Sequence, residues 1–340
     1  MIVVRAPLRI SFAGGGTDLP DFYTRYPGRV LSTAIDKYVY VVVNRTPLID
    51  KISARYSISE TVNHPSELQH TRIKAALLDA GILSGIELAS FASLPSKTGL
   101  GSSSAFSVAL VKALSAYQGK KMSKREAAEA ASRLEIELLG EPMGKQGQYA
   151  AAFGGINVLQ FNTDNSVDVK PLLIDYKIRL GLEDHILLFF TGLARDGSSF
   201  LNEQKANVGK KFETLKVMSD SVLKAEECLT KADFQGLGNL LDQGWMMKKT
   251  LARDAPSDLI DALYGKGMAA GAWGGKVLGG GSGGCVMFFV PTEKKVAIRR
   301  AVAQVAEGAG LKEFKEIPVR FVQSGVEILH NSDHEGAIFV

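Results

Sequence analysis

The chain has 340 residues, 40 of them basic and 36 acidic for a formal charge of +4, with 46% hydrophobic and 22% charged residues. At roughly 150 residues per domain this suggests two domains, each able to bury its own core, and the balance excludes a disordered chain or a strongly basic nucleic-acid binder. Cys228 and Cys285 are the only cysteines, too few for a disulfide framework or a zinc ribbon, so a reducing cytoplasm is expected and each should be a small buried hydrophobe.

Arg5, Pro7 and Arg9 interrupt the opening apolar stretch, so no secretory signal is expected. The alternation of Leu8, Ile10 and Phe12 with Arg9, Ser11 and Ala13 predicts a strand carrying Arg9 on the face opposite the apolar residues, ended by Gly14, Gly15 and Gly16. A second strand is expected over 38–43, then an extended polar region of weak periodicity to about Pro65. A helix over 71–78 should stop at Gly81, and 86–91 reads as another strand. The run 105–117 has only Lys112 as a charge, the pattern of a helix buried all round.

Ser123 and Glu126 make a capping box for the next helix, and Gly140 suits its left-handed C-terminal position. On that helix Ala128, Ala131, Glu135, Leu138 and Leu139 share one stripe, while Glu129, Arg133 and Glu137 form a charged one. Glu135 is a carboxylate on the apolar side, which calls either for a cation or for a rim position reaching water. The composition shift after the polar stretch 162–170 places a domain boundary near Gly181, giving expected domains 1–181 and 182–330 and a tail 331–340.

Beyond the boundary a core strand over 186–190 precedes helices over 199–228, 232–249 and 256–267. Strands 276–278 and 285–290 flank a glycine-rich loop, followed by a helix over 293–305 and a strand over 317–322. Helices mixed with a small antiparallel sheet make this half α+β. The apolar runs 186–190 and 285–290 are far below the roughly 18 residues of a membrane span, so no membrane partner is expected. Trp245 and Trp273 are expected to fill the second core.

The 35 glycines are about 10% against a usual ~7%, and much of the excess sits at 14–16, at 99 and 101, and at 274–284. No Gly-Lys is followed by Ser or Thr, so a Walker A loop is absent. Gly279, Gly281 and Gly284 satisfy G-x-G-x-x-G, but a strand-like run follows where a dinucleotide site needs a helix. Gly99, Leu100, Gly101, Ser102, Ser103 and Ser104 instead lead into the buried helix, where free N–H groups, the helix dipole and hydroxyls make an anion site. Serine capping alone would need one serine and neither glycine, which favours phosphate.

Pro7 to Asp18, residues 94–105 and Lys276 to Gly284 resemble, in order, the three motifs of the GHMP small-molecule kinases, a resemblance spanning most of the chain. Within that family, 12–19 look most like the bacterial D-glycero-D-manno-heptose phosphate kinases of surface-glycan synthesis. The resemblance implies a two-domain α+β fold, with an N-terminal domain like ribosomal protein S5 domain 2, including a left-handed crossover, and a ferredoxin-like C-terminal domain. It further implies ATP and Mg²⁺ as cofactors and a small sugar phosphate as partner. For the heptose 7-phosphate kinases, phosphoryl transfer to the anomeric hydroxyl gives a 1,7-bisphosphate. On matching positions, Lys97 and residues Gly99 to Ser104 would bind ATP, and Ser103 and Glu135 would hold Mg²⁺. Arg9 would lie near the reacting hydroxyl. Gly15, Gly16, Thr17, Asp18, Gln146, Gln148, Gly280, Gly281 and Ser282 would line the sugar site.

The chain departs from the family at Gly147, where an aspartate usually serves as base or orienting group, assistance worth about 10² to 10⁴ in rate. Three readings stay open: catalysis by positioning and charge alone, a variant that binds but hardly turns over, and replacement by Lys145 or Asp18. Rival functions are another sugar kinase, of fucose or galactose type, and a non-catalytic sensor. Arg195 could meet a substrate phosphate or pair with a helix residue, and His330 with His334, four apart, make a weak metal motif.

Overall fold

The computed structural model describes residues 1–193, 198–251, 258–279 and 283–332. The chain builds β1 (Ile2–Ala13), α1 (Pro20–Tyr23), β2 (Gly28–Arg45), β3 (Ile52–Arg55), β4 (Ser59–Val62), α2 (Thr71–Asp79), β5 (Ile86–Ala92), α3 (Ser102–Tyr117), α4 (Lys124–Ser132), α5 (Gln146–Phe153), β6 (Ile156–Phe161) and β7 (Val167–Pro171). It continues through α6 (Tyr176–Asp184), β8 (Ile186–Phe190), α7 (Ser198–Asn207), α8 (Phe212–Thr230), α9 (Phe234–Lys249), α10 (Asp258–Ala269), β9 (Gly274–Val277), β10 (Cys285–Phe289), α11 (Lys295–Gly308), β11 (Lys315–Glu316) and β12 (Glu327–Asn331).

The first sheet runs β12-β1-β2-β5-β3-β4, with β6 on β2 and β7 on β6. All its pairings are antiparallel except β3 with β5. Strand β2 is much longer than expected because it serves two partners: Gly28–Thr33 pair with β6 and Val39–Arg45 with β5. The weakly periodic region before Pro65 holds two short strands, β3 and β4. Helix α3 packs on β1 and β2, and its apolar circumference leaves Ala105, Val108, Ala109 and Ala113 with no exposed surface.

The second sheet is antiparallel in the order β11-β8-β10-β9. Its two central strands are apolar at every position because both faces are covered. Leu188, Phe190, Cys285, Met287 and Phe289 join the core shared with the first half, while Leu187, Phe189, Val286 and Phe288 pack with Trp245, Ile260 and Ile298. Trp245 fills this second core and Trp273 lies against His185 at 4.9 Å between ring centres. Cys285 is buried, Cys228 only partly, and both are unpaired.

The helix expected over 199–228 is two helices, α7 and α8, separated at residues 208–211, which include Gly209. The strand expected over 317–322 reduces to β11 and a single bridge between Ile35 and Phe321, since Pro318 cannot donate to a ladder. Gly181 lies inside α6, and β12 returns to the first sheet, so the domain division near that residue stays a proposal from composition. His330 sits on β12, not on a helix, and His334 lies outside the described residues. No described helix is long and apolar enough to cross a membrane.

Candidate functional site

The second and third glycine clusters owe their composition to one another. A Cβ on Gly99 would stand 2.4 Å from the Leu278 carbonyl oxygen, one on Gly279 2.6 Å from Gly99 Cα, and one on Gly284 2.6 Å from the Thr98 oxygen. The loop before α3 and the loop after β9 therefore meet backbone on backbone, which only residues without a side chain permit. Gly101 takes the N-cap position of α3 with φ of 80°, and Ser102, Ser103 and Ser104 form the first turn of that helix. The hydroxyls thus stand beside the free N–H groups, inside the helix.

A cavity of about 910 Å³ opens over this turn. Lys97, Gly99, Gly101 and the three serines line it, and its remaining wall includes Tyr56, His70, Phe91, Leu94 and Phe106. Tyr56 meets His70 edge to face at 4.6 Å between ring centres, and His70 meets Phe106 at a tilt at 5.3 Å. This aromatic wall is not legible in the sequence, because its members come from four separate segments. Leu100 lines neither cavity: its side chain is in the core and its carbonyl accepts from Arg9 N at 2.9 Å.

Glu135 has no exposed surface. It follows α4 in a π-helical turn, residues 133–138, in which Leu139 N donates to Leu134 O at 3.1 Å. Gly140, at φ of 66°, closes the turn while Glu141 N donates back to Glu135 O. The wider turn breaks the helical spacing, so Leu138, expected on the apolar stripe, is 44% exposed. The cation that Glu135 calls for is present: Arg72 Nε donates to Glu135 Oε1 at 3.2 Å, and Ser103 Oγ donates to the same oxygen at 3.1 Å. Gln148, expected at the sugar, instead donates from Nε2 to Glu135 Oε2 and lines neither cavity.

Ser103 Oγ and the Glu135 carboxylate, adjacent at the foot of the helix turn, are the hard oxygen donors Mg²⁺ takes, but Glu135 lines neither cavity and its two oxygens are engaged by Arg72 with Ser103 and by Gln148. This ion takes oxygen ligands and draws most of its shell from water and phosphate. No cluster of three or more metal-ligating side chains occurs among the described residues.

A smaller cavity, about 130 Å³, lies between the halves. Arg9 and Ser104 line both cavities, so they mark the junction. Arg9 Nη1 donates to Gly99 O at 2.7 Å, tying the first motif to the second. Burial pulls its guanidinium down to about 10, opposed by Asp18, so it stays charged at neutral pH. Gly15, Gly16, Asp18, Gln146 and Gly147 line the smaller cavity as expected. Asp18 accepts from Gly16 N, Gln146 N and Gln146 Nε2 at 2.8 to 3.1 Å. Burial raises its carboxyl above the usual range, against these bonds and the Arg9 charge.

Besides Leu100 and Gln148, two more expected residues are elsewhere. Thr17 is fully buried in the turn, donating to Gly14 O and Arg29 O, and lines neither cavity. Lys145 reaches the Asn165 carbonyl and the Tyr23 ring, also off both cavities. Arg195, Gly280, Gly281 and Ser282 lie outside the described residues. Conversely, Ser11, Gln204, Lys248 and Lys276 line the smaller cavity and went unassigned. Two of them carried a signal: Ser11, which the strand period places on the Arg9 face, and Lys276, the first residue of the stretch resembling the third motif.

Residues 69–155 match the GHMP kinase N-terminal domain and residues 225–308 the GHMP kinase C-terminal domain. A D-glycero-alpha-D-manno-heptose 7-phosphate kinase of Campylobacter jejuni is 30% identical over 316 residues, 88% of this chain and 93% of that protein. The chain belongs to the GHMP kinases. A crystal structure titled as a D-glycero-D-manno-heptose 1-phosphate kinase from Bacteriodes thetaiotaomicron superposes on this GHMP kinase with a TM-score of 0.80 and 25% identity, covering 97% of this chain and 99% of that one. Lactococcus lactis galactokinase with galactose shares the fold, at a TM-score of 0.77 and 18% identity over 96% of this chain and 95% of its own. The expected GHMP fold is therefore the one observed.

Proposed function

We propose that the protein transfers the γ-phosphoryl group of ATP to the anomeric hydroxyl of a heptose phosphate, D-glycero-D-manno-heptose 7-phosphate in the first instance. The similarity to the Campylobacter jejuni heptose 7-phosphate kinase over nearly the whole chain carries this reading. GHMP kinases use ATP as donor, and the larger cavity suits it, with an aromatic wall for the base and the first turn of α3 for phosphates. Ser103 and Glu135 would hold Mg²⁺, which when bound neutralises charge on the phosphates.

Phosphoryl transfer rests on positioning and charge more than on covalent chemistry. Arg9, at the junction, would offset charge on the group in transit, and the smaller cavity would hold the acceptor. Gly147 offers no carboxylate. Of the two suggested replacements, Lys145 is turned away and Asp18 lines the acceptor cavity, so Asp18 would take the acceptor proton or orient its hydroxyl. A binding protein of very low turnover is the second reading, favoured by the glycine at 147 itself.

ADP release from the unmodified protein should be measured with heptose 7-phosphate, heptose, fucose and galactose. Activity confined to the unphosphorylated sugars refutes the heptose phosphate assignment. Tight ATP binding with no ADP over hours establishes the second reading. Because the two heptose relatives are titled for different phosphate positions, ³¹P NMR of the product should verify a 1,7-bisphosphate.

A further inference from the structure

The smaller cavity gathers buried hydrogen-bond donors, several of them without an acceptor among the described residues. Ser11 Oγ, Gln204 Nε2 and Arg9 Nε are all buried there with no partner among the described residues. Ser11 is 7% exposed and Gln204 2%. Lys276, also 7% exposed, spends one N–H on the Phe12 carbonyl at 3.1 Å and forms no ion pair among the described residues. A lysine nitrogen that meets an anionic acceptor is protonated and carries three donors, so N–H groups remain for a ligand. Lys248, from α9, donates to the Gly279 carbonyl on the same cavity wall.

Charge is as unbalanced as hydrogen bonding. Three basic side chains, Arg9, Lys248 and Lys276, line this space, and Asp18 is the one carboxylate lining it among the described residues. Asp18 already accepts three hydrogen bonds from Gly16 and Gln146. Buried donors without acceptors and clustered like charges both destabilise a fold, so a site that keeps them calls for a ligand supplying both acceptors and negative charge. A sugar hydroxyl is neutral and donates as readily as it accepts. A phosphate monoester brings terminal oxygens that only accept and up to two negative charges.

Position separates this ligand from the donor nucleotide. Ser11, Gln204, Lys248 and Lys276 line the smaller cavity alone, beyond the Arg9 and Ser104 junction as seen from the first turn of α3. They come from β1, α7, α9 and β9, so the site exists only when both halves are folded together. We propose that Ser11, Gln204, Lys248 and Lys276 form the subsite for the phosphate the acceptor already carries. The subsite rests on the sugar-phosphate kinase reading and locates its specificity.

Two measurements test it separately from that reading. Steady-state kinetics of Lys276→Met, with Ser11→Ala as a second variant, should show the ratio of kcat/KM for heptose 7-phosphate to that for heptose falling about 10- to 100-fold, the loss of a charge-assisted hydrogen bond. The KM for ATP should move far less. An equal rise in the KM for ATP would place these groups on the donor side and overturn the subsite, as would an unchanged ratio. In thermal melts, inorganic phosphate should raise the midpoint of the wild type, and Lys276→Met should lose that response. Equal responses in wild type and variant also overturn the subsite. A phosphate response dependent on Lys276 in a protein that turns over no sugar phosphate would support the subsite and sink the kinase reading.

Discussion

Gly147 lies so close to Ser104 that a Cβ added to it would stand 2.5 Å from the serine Oγ and 2.8 Å from its Cβ. The hydroxyl can rotate away, but the Ser104 Cβ is fixed to the first turn of α3 and to the buried helix behind it. The position that lacks the aspartate usual in this family has therefore also lost the room for one.

Restoring the carboxylate alone is expected to disappoint. Gly147→Asp should give much less than the 10² to 10⁴ available from a well-placed base. Gly147→Asp combined with Ser104→Gly, which removes the obstructing Cβ, should exceed either single change by at least roughly tenfold in kcat. Strictly additive rates from all four proteins would show that the two positions do not compete for space.

If Asp18 handles the acceptor proton, Asp18→Asn should lower kcat by about 10² or more while the affinity for ATP holds. Burial raises the Asp18 carboxyl, and a base must be deprotonated to work. The wild-type rate should therefore fall on acidification at a pH above that of an ordinary aspartate, and this limb should vanish in Asp18→Asn. A limb that persists assigns it to another group.

Gln148 donates to Glu135 Oε2, so on the proposed reading, in which Glu135 holds Mg²⁺, it would orient that ligand. Gln148→Leu should raise the Mg²⁺ concentration for half-maximal rate about 10- to 100-fold, with little change in the acceptor KM. Glu135→Gln should be worse on the same titration. A shift in acceptor KM alone would return Gln148 to the sugar site.

The buried lysines make stability depend on pH. Burial, with repulsion from Arg9, lowers Lys248 to about 8. Burial first, then Lys248 and Arg9, takes Lys276 well below its usual range. The unfolded chain thus holds protons that the folded one has released, so these two groups make stability rise with pH, from about 8 for Lys248 and from lower for Lys276, toward the ordinary lysine value. Lys276→Met should flatten that rise in phosphate-free melts. Phosphate affinity should run the opposite way, weakening as pH climbs and the ammonium charge is lost.

Much of the site could be read from residue order because its parts are contiguous. The Gly99 to Ser104 loop, Arg9 on a polar strand face and Glu135 on an apolar stripe each announce themselves within a few residues. What could not be read is what different segments do to one another. Gln148 and Arg72 reach Glu135 from elements distant in the chain, and Gln204 and Lys248 look like ordinary polar residues until the sheets close around them. The same holds for the fold. Apolar runs over β8 and β10 identify strands covered on both faces, whereas the interruption between α7 and α8 at Gly209 is hidden because a glycine costs a helix only about 1 kcal/mol.

The contact of Gly99 with Leu278 and Gly279 makes the donor cradle a joint product of early and late stretches of the polypeptide. A nascent chain halted before β9 would carry the serines and the buried helix yet lack the brace that sets their loop. Nucleotide affinity should consequently emerge late in synthesis, and any partial product would be mute toward ATP.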